Sequence, residues 1–265
     1  MTDRPVGMLD SGLGGISVLA QALRDLPRED YVYFGDTAHI PYGDKEPEEV
    51  LRLTRLGVDR LLDAGCKAIV IACNTATSVA AEQLRRELTL PVIGIEPALK
   101  PASLLPGEGQ ILVLATQVTL RLPKFQALME RYGDHAVPVP CSGLMECVEA
   151  GELEGRRVHD LLESLLAPYL AEPVKAVVLG CTHYPFLRKA IAAFLPEGTP
   201  LIDGNAGTVC QLGRRLEAED LQAPPDHQGG KVTFLSSSED VATIRRMETM
   251  LQTALSRLGS SPLSQ

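Results

Sequence analysis

The chain has 265 residues, a formal net charge of −9 and 45% hydrophobic residues, and these properties exclude several classes of protein. The hydrophobic fraction is large enough for a buried core, so the chain is neither disordered nor fibrous. The acidic balance argues against a nucleic-acid surface, because phosphate binding needs clustered Lys and Arg. We find no signal segment before the first apolar run and no run long enough to cross a membrane, and therefore expect a cytoplasmic protein.

Short apolar runs alternate with longer amphipathic runs along almost the whole chain. In chain order, strands are predicted at residues 5–9, 31–35, 67–72, 91–95, 110–115, 136–140, 174–179, 200–202 and 231–235. Helices are predicted at residues 15–26, 46–64, 78–88, 124–132, 144–150, 157–170, 186–194, 206–216 and 240–258, with a loose tail from residue 259. Apolar strands that alternate with helices predict an α/β fold with parallel sheets covered on both faces.

Two breaks in this pattern predict where the chain passes between domains. The first lies at residues 97–109, which are rich in proline and glycine, and the second lies near residues 203–205. The second crossing would return the C-terminal segment to the first domain. We therefore predict one α/β domain from residues 1–97 plus 206–265 and a second from residues 98–205, each with a parallel sheet flanked by helices.

An internal repeat links the two predicted domains. Residues 67–75 resemble residues 175–183, because each is an apolar strand that ends in a small residue, a cysteine and polar side chains. Residues 8–11 correspond in the same way to residues 113–116. This similarity predicts a duplicated half with the same arrangement of strands in both domains.

The repeat selects Cys73 and Cys181 from the six cysteines of the chain. One cysteine at the end of a strand is more often a small buried side chain than a functional group. Two at equivalent strand ends favour function, because ligands bind beyond the carboxyl ends of parallel strands and the two halves would face each other across a cleft. The cysteines are too sparse for a disulfide scaffold and lack zinc-site spacing, so no metal is expected. The others are assigned to packing: Cys66, Cys141, Cys147 and Cys210.

Two thiols on opposite faces of one carbon suit racemisation, in which a proton leaves one face and another arrives at the opposite face. No lysine lies in a phosphate-binding context, so pyridoxal phosphate is not expected and the prediction is a cofactor-independent enzyme.

His183 is a natural acid–base partner of Cys181, although alone it is as well explained as a structural hydrogen-bonding group. Asp10 is predicted beside the strand that carries Cys73, although alone it suits a helix cap. The glycine-rich loop at residues 10–15 offers N–H groups to a carboxylate but is not a dinucleotide fingerprint.

Taken together, the motifs resemble those of the glutamate racemases in the aspartate/glutamate racemase family, which supply D-glutamate for bacterial peptidoglycan. The resemblance covers nearly the whole chain. The matching segments are residues 10–15, 34–37, 41–43, 72–76, 116 with 119, 148–151 and 180–185.

The resemblance implies two pseudo-symmetric α/β domains with the substrate in the cleft between them. It implies that Cys73 acts on D-glutamate and Cys181 on L-glutamate, that Asp10 and His183 assist them, and that Asp36 and Glu149 are further polar groups of the site. Substrate-holding positions of the family fall on Ser11, Pro41, Tyr42, Gly43, Asn74, Thr75, Thr116, Thr119 and Thr182. Family members are commonly dimers, so a homodimer is expected, and neither nucleic acid nor a membrane is an expected partner.

The chain departs from the family pattern at a few positions outside the two presumed bases. His39 replaces a frequent Arg, Leu122 replaces a Ser, and residues 145–147 replace a more apolar run that contains proline. Three alternatives remain: a racemase of aspartate or another acidic amino acid, a non-catalytic gyrase-interacting protein on the same scaffold, and a dithiol redox protein. The last needs the two cysteine Cα atoms to lie within about 7 Å of each other.

Overall fold

The structure is a computed structural model that describes residues 1–259. The chain forms two compact units, one from Met1–Ile95 with the segment that begins at Asn205, the other from Glu96–Gly204. Within the described residues no helix has the length and apolar character needed to span a membrane. The predicted loose tail, apart from Gly259, lies outside the described residues.

The first unit is a five-stranded parallel sheet with helices packed on it. Its strands are β1 (Val6–Asp10), β2 (Tyr31–Gly35), β3 (Ala68–Ile71), β4 (Val92–Gly94) and β9 (Val232–Ser236). Its helices are α1 (Ile16–Asp25), α2 (Pro47–Asp63), α3 (Asn74–Glu87), α10 (Asn205–Ala218) and α11 (Val241–Gly259). The strand order is β4-β3-β1-β2-β9, α1 packs against α10 and α11, and α2 packs against α3. The strands β1, β2 and β3 are buried along their whole length, which explains their continuous apolar sequence.

The second unit is a four-stranded parallel sheet of the same kind. Its strands are β5 (Gln110–Ala115), β6 (Ala136–Pro140), β7 (Val174–Leu179) and β8 (Leu201–Asp203), in the order β6-β5-β7-β8. Its helices are α4 (Leu99–Ser103), α5 (Gln117–Arg121), α6 (Pro123–Tyr132), α7 (Leu144–Glu149), α8 (Arg156–Leu166) and α9 (Arg188–Ala192). The apolar side chains of β5, β7, α4 and α6 form one buried cluster.

The two sheets repeat the same hydrogen bonds at the strand ends that carry the cysteines. In the first unit, the N–H of Ala72 donates to the carbonyl of Leu9 at 2.7 Å; in the second, the N–H of Gly180 donates to the carbonyl of Leu114 at 2.7 Å. Cys73 and Cys181 each follow the donor residue directly. The two cysteines therefore leave equivalent strands at equivalent positions, as the internal repeat predicts.

Several details differ from the sequence prediction, among them the absence of α4 and α5 from the predicted helices. The helix α3 begins at Asn74 rather than at residue 78, because the Cys73 side chain caps it. The helix predicted at residues 186–194 is a 3₁₀ turn, Tyr184–Leu187, followed by the short α9. Cys210 is exposed on α10, so its assignment to packing is wrong, whereas the other three cysteines assigned to packing are buried.

Candidate active site

Asp10 is the last residue of β1, and its side chain is fully buried. Its Oδ2 accepts a hydrogen bond from the N–H of Gly12 at 2.9 Å, within the turn that leads into α1. A Cβ atom on Gly15 would lie 2.6 Å from the Cβ of Asp10 and 3.0 Å from that of Ala72. Only glycine therefore lets the turn pack this closely against the ends of β1 and β3. The packing fixes the Asp10 carboxylate at the carboxyl end of the sheet.

Cys73 is the N-cap of α3, and its side chain is 6% exposed. Its Sγ accepts a hydrogen bond from the N–H of Ala76 at 3.5 Å. The unpaired N–H groups and the dipole at a helix N-terminus favour the thiolate form of a cysteine. Asn74 follows, and its Oδ1 is buried without a hydrogen-bond partner among the described residues. A buried acceptor without a partner is costly, so this oxygen is suited to a donor supplied by a ligand.

A hydrogen-bonded network at the end of β2 contains Asp36, Tyr42 and His39. The Tyr42 hydroxyl donates to Oδ2 of Asp36 at 2.6 Å, and the other oxygen of Asp36 lies 2.7 Å from Nδ1 of His39. The N–H of Asp36 donates to the carbonyl of Asp10 at 3.0 Å, which places the network beside β1. Burial, the hydrogen bond to Asp36, and the negative charges of Asp36, Cys73 and Asp10 all raise the pKa of Tyr42. Tyr42 is therefore a neutral hydroxyl donor close to both Cys73 and Asp10.

In the second unit, Cys181, His183 and Glu149 form a chain of contacts. The Sγ of Cys181 lies 3.5 Å from Nδ1 of His183, and Nε2 of His183 lies 2.6 Å from Oε1 of Glu149. Burial by itself would lower the pKa of His183, but the hydrogen bonds and negative charges of Cys181 and Glu149 raise it well above its usual value. This arrangement places a charged imidazole ring between the sulfur of Cys181 and the carboxylate of Glu149.

The sequence analysis missed the role of Tyr184 at this site. Its fully buried hydroxyl donates to the carbonyl of Cys141 at 2.9 Å, and its N–H donates to the carbonyl of Cys181 at 3.1 Å. Tyr184 thereby ties the turn after β7 to the end of β6. Cys141 itself is held as a thiol, since burial and then the charge of Cys181 raise its pKa to about 12. The Tyr after the Cys-Thr-His run is the only sequence signal for this contact.

The remaining predicted residues lie around these groups, each within its own unit. Thr116 caps α5, its hydroxyl donates to the hydroxyl of Thr119 at 2.9 Å, and Thr119 is 1% exposed. The residues that border the Cys73 end of the first sheet are Ser11 and Thr75, both buried, and Pro41 and Gly43, both half-buried. Thr182 is buried next to Cys181. The structure thus gathers the predicted residues into two groups, one in each unit.

One surface group among the described residues has the donor atoms for a metal ion. His159, Asp160 and Glu163 on α8 bring their ligand atoms within 4.8 Å of one another, and all three residues are exposed. Arg156 also lies 3.6 Å from Asp160, which supplies a competing positive charge. The group shares no residue with the two cysteine sites.

Comparison with known proteins places the chain among racemases. The profile of the Asp/Glu/Hydantoin racemase family matches residues 11–212. The chain belongs to this family and is an isomerase.

Individual relatives agree with this assignment over almost the full length. The chain is 45% identical over 255 residues to the glutamate racemase of Clostridium perfringens, covering 95% of this chain and 98% of that one. It resembles the Escherichia coli glutamate racemase solved with L-glutamate and the activator UDP-MurNAc-ala, at 30% identity, a TM-score of 0.83 and 95% coverage of each chain. It also resembles the Thermus thermophilus glutamate racemase solved with β-chloro-D-alanine, at 36% identity, a TM-score of 0.78, and coverage of 97% of this chain and 94% of that one.

Proposed function

We propose that this protein interconverts L-glutamate and D-glutamate without a cofactor, with Cys73 and Cys181 as its two bases. The observation that carries the proposal is that both cysteines leave equivalent strands at equivalent positions, each with a hydrogen-bonding group beside its sulfur. A relative that is 45% identical over 255 residues is a glutamate racemase, which supports glutamate as the substrate.

The proposed reaction removes the proton from one face of the substrate's Cα and adds a proton to the opposite face. In the L-to-D direction, the thiolate of Cys181 removes the Cα proton, and the thiol of Cys73 gives its proton to the opposite face. Cys181 ends as a thiol and Cys73 as a thiolate, so charge and protons balance. The D-to-L direction runs the same steps from Cys73. The imidazolium of His183, held by Glu149, assists Cys181, while Asp10 is the acid–base group proposed beside Cys73 and Asp36 is a further polar group of that site.

Fixed polar groups would hold the charged ends of the amino acid. The Oδ1 of Asn74 has no partner among the described residues and can accept a hydrogen bond from the substrate's ammonium group. The carboxylates would be held by hydroxyl and backbone N–H groups from both units. The proposed set of donors is Ser11, Tyr42, Gly43, Thr75, Thr116, Thr119 and Thr182, with Pro41 as the residue that begins the turn at Tyr42 and Gly43.

We further propose that the protein supplies D-glutamate for peptidoglycan, and so for the cell wall, in the cytoplasm and as a homodimer. The two domains are proposed to be residues 1–97 plus 206–265 and residues 98–205. Since Cys73 and Cys181 belong to different units, the reaction requires both units to reach one substrate molecule.

The experiment that tests the proposal is racemisation of L- and D-glutamate, followed by circular dichroism without added cofactor. Cys73→Ser and Cys181→Ser are each expected to lower kcat by about a hundredfold or more in both directions, since each removes an acid–base group. Cys210→Ser is the matched control, because Cys210 is exposed and lies outside the site. Full activity of either site variant would contradict the two-base mechanism. Faster turnover of aspartate than of glutamate would instead favour the aspartate alternative.

A further inference from the structure

The network at the end of β2 reaches from a buried tyrosine to the protein surface. Asp36 is 2% exposed and Tyr42 1% exposed, whereas the side chain of His39 is 45% exposed. The Asp36 carboxylate uses one oxygen for Tyr42 and the other for His39. His39 is therefore the member of this network through which water and protons reach the carboxylate.

His39 is also in direct contact with Asp36. Arg52 on α2 acts on Asp36 through its charge, but its guanidinium is bound to both oxygens of Glu49, at 2.8 and 2.7 Å. Glu49 in turn faces His39 and Lys45. The charges of Arg52 and Glu49 largely cancel each other. A buried carboxylate needs an opposite charge or several hydrogen bonds, so the contacts with His39 and Tyr42 are important for holding Asp36 in place.

The loop that follows β2 is bound, at Thr37 and Ala38, to the end of β9 through uncharged groups. The hydroxyl of Thr37 lies 2.8 Å from that of Ser236, and the N–H of Ala38 donates to the hydroxyl of Ser237 at 3.0 Å. These contacts fix the backbone on both sides of Ala38, so the side chain of His39 stays opposite Asp36. Their strength does not change with pH near neutrality.

We propose that His39 is a positioning residue for substrate binding, which acts through Asp36 on Tyr42. The inference deepens the proposed function and rests on it, since Tyr42 lies in the turn proposed to hold a carboxylate of glutamate. His39 and Tyr42 each contact one oxygen of the buried Asp36 carboxylate, so His39 holds this carboxylate in the orientation that accepts the Tyr42 hydroxyl. Without a side chain that can donate to it, one oxygen of the buried carboxylate loses its partner, which is costly. The turn that carries Tyr42 is then less firmly held.

The expected kinetic signature is a change in KM rather than in kcat. His39→Ala removes the side chain that contacts Asp36, and KM for glutamate should increase by about three- to tenfold, a modest effect because His39 is partly solvated. His39→Gln keeps a side chain that can donate to Asp36 and should retain a KM close to that of the wild type. His135→Gln, which changes an exposed histidine in the other unit, is the matched control.

The measurement is KM and kcat for D-glutamate in the wild type and the three variants, with far-UV circular dichroism to verify folding. The same comparison by calorimetric titration of D-glutamate into Cys73→Ser versions reports binding without turnover. A wild-type KM in His39→Ala, or a KM in His39→Gln as high as that of His39→Ala, would overturn the role of His39 while leaving the proposed function intact. A change confined to kcat would also overturn it. If the wild type neither binds nor racemises glutamate, the proposed function fails and this inference fails with it.

Discussion

His183 illustrates how two neighbours override burial. Its side chain is 2% exposed, yet its pKa is well above the usual value because Cys181 and Glu149 both favour the charged ring. Folding raises the pKa of His183, so its contacts with Cys181 and Glu149 stabilise the folded protein. This contribution is complete below the ordinary pKa of 6.5 and is lost as the pH rises through the pKa that His183 has in the folded protein. The same loss of the proton removes the positive charge that lies against the sulfur of Cys181.

Glu149→Gln tests this charge arrangement. The substitution removes the carboxylate that holds His183 charged, so the alkaline fall in activity should begin at a lower pH. The kcat for L-glutamate should decrease by about ten- to hundredfold, the effect of one charge-assisted hydrogen bond. The pH profile of kcat in the L-to-D direction measures both effects. Glu146→Gln, at an exposed position on the same helix, is the control. An unshifted alkaline limb in Glu149→Gln would contradict the assigned cause.

The sequence indicated the members of this site but not their contacts. Cys181 and His183 stand two residues apart and could be paired from the sequence alone. Glu149 lies 34 residues from His183, and nothing in the intervening chain indicates that the end of α7 reaches the turn after β7. The contact of Tyr184 with Cys141, 43 residues apart, escaped prediction for the same reason. Side-chain partners from different elements depend on tertiary packing, which a sequence pattern does not specify.

At the scale of elements, continuous apolar runs were the most reliable signal. The strands β2, β5, β6 and β7 have the predicted bounds. Each is a short run that contains β-branched or aromatic residues and is followed by turn residues. The start of α3 was misplaced because a cysteine is an unusual N-cap. The short helices α4 and α5 were missed, since five-residue helices carry too little periodicity to be recognised.

The turn between β1 and α1 supports an element-scale prediction. Gly15→Ala would place a methyl group 2.6 Å from the Cβ of Asp10 and 3.0 Å from the Cβ of Ala72, and neither atom can move without its backbone. We expect a loss of about 1–3 kcal/mol in the free energy of unfolding, together with reduced activity from a displaced Asp10. Urea denaturation and the racemisation assay measure the two effects. Gly207→Ala, where a Cβ meets no atom within 4 Å, is the control. Wild-type stability in Gly15→Ala would refute the close-packing argument.

On the scale of the whole chain, a buried ion pair joins the beginning of the first unit to its C-terminal segment. The Nζ of Lys67 lies 2.5 Å from Oε2 of Glu29 and donates to the carbonyl of Thr2 at 2.9 Å. The other carboxylate oxygen of Glu29 accepts the N–H of Ala223 at 2.8 Å. One ion pair thus connects the N-terminus, the approaches to β2 and β3, and the segment that follows α10.

Lys67→Met should therefore destabilise the first unit strongly. It leaves the charge of Glu29 buried without its cation, which costs about 3–5 kcal/mol. Adding Glu29→Gln removes that charge, keeps an acceptor for Ala223, and should recover a large part of the loss. Urea denaturation of the single and double variants provides the values. Lys189→Met, at an exposed lysine, should change stability by about 0.5 kcal/mol or less. A double variant no more stable than Lys67→Met would contradict the explanation by an unpaired charge.

The two cysteines occupy equivalent strand ends but have different neighbours, carboxylates in one unit and an imidazole in the other. Enantiomers have equal free energies, so the Haldane relationship requires the proposed racemase to have the same kcat/KM in both directions at every pH. The unequal neighbours can then make kcat and KM differ between the two enantiomers only by the same factor. Duplication thus leaves the enzyme free to bind one enantiomer more tightly and turn it over more slowly, while the equilibrium mixture it produces stays racemic.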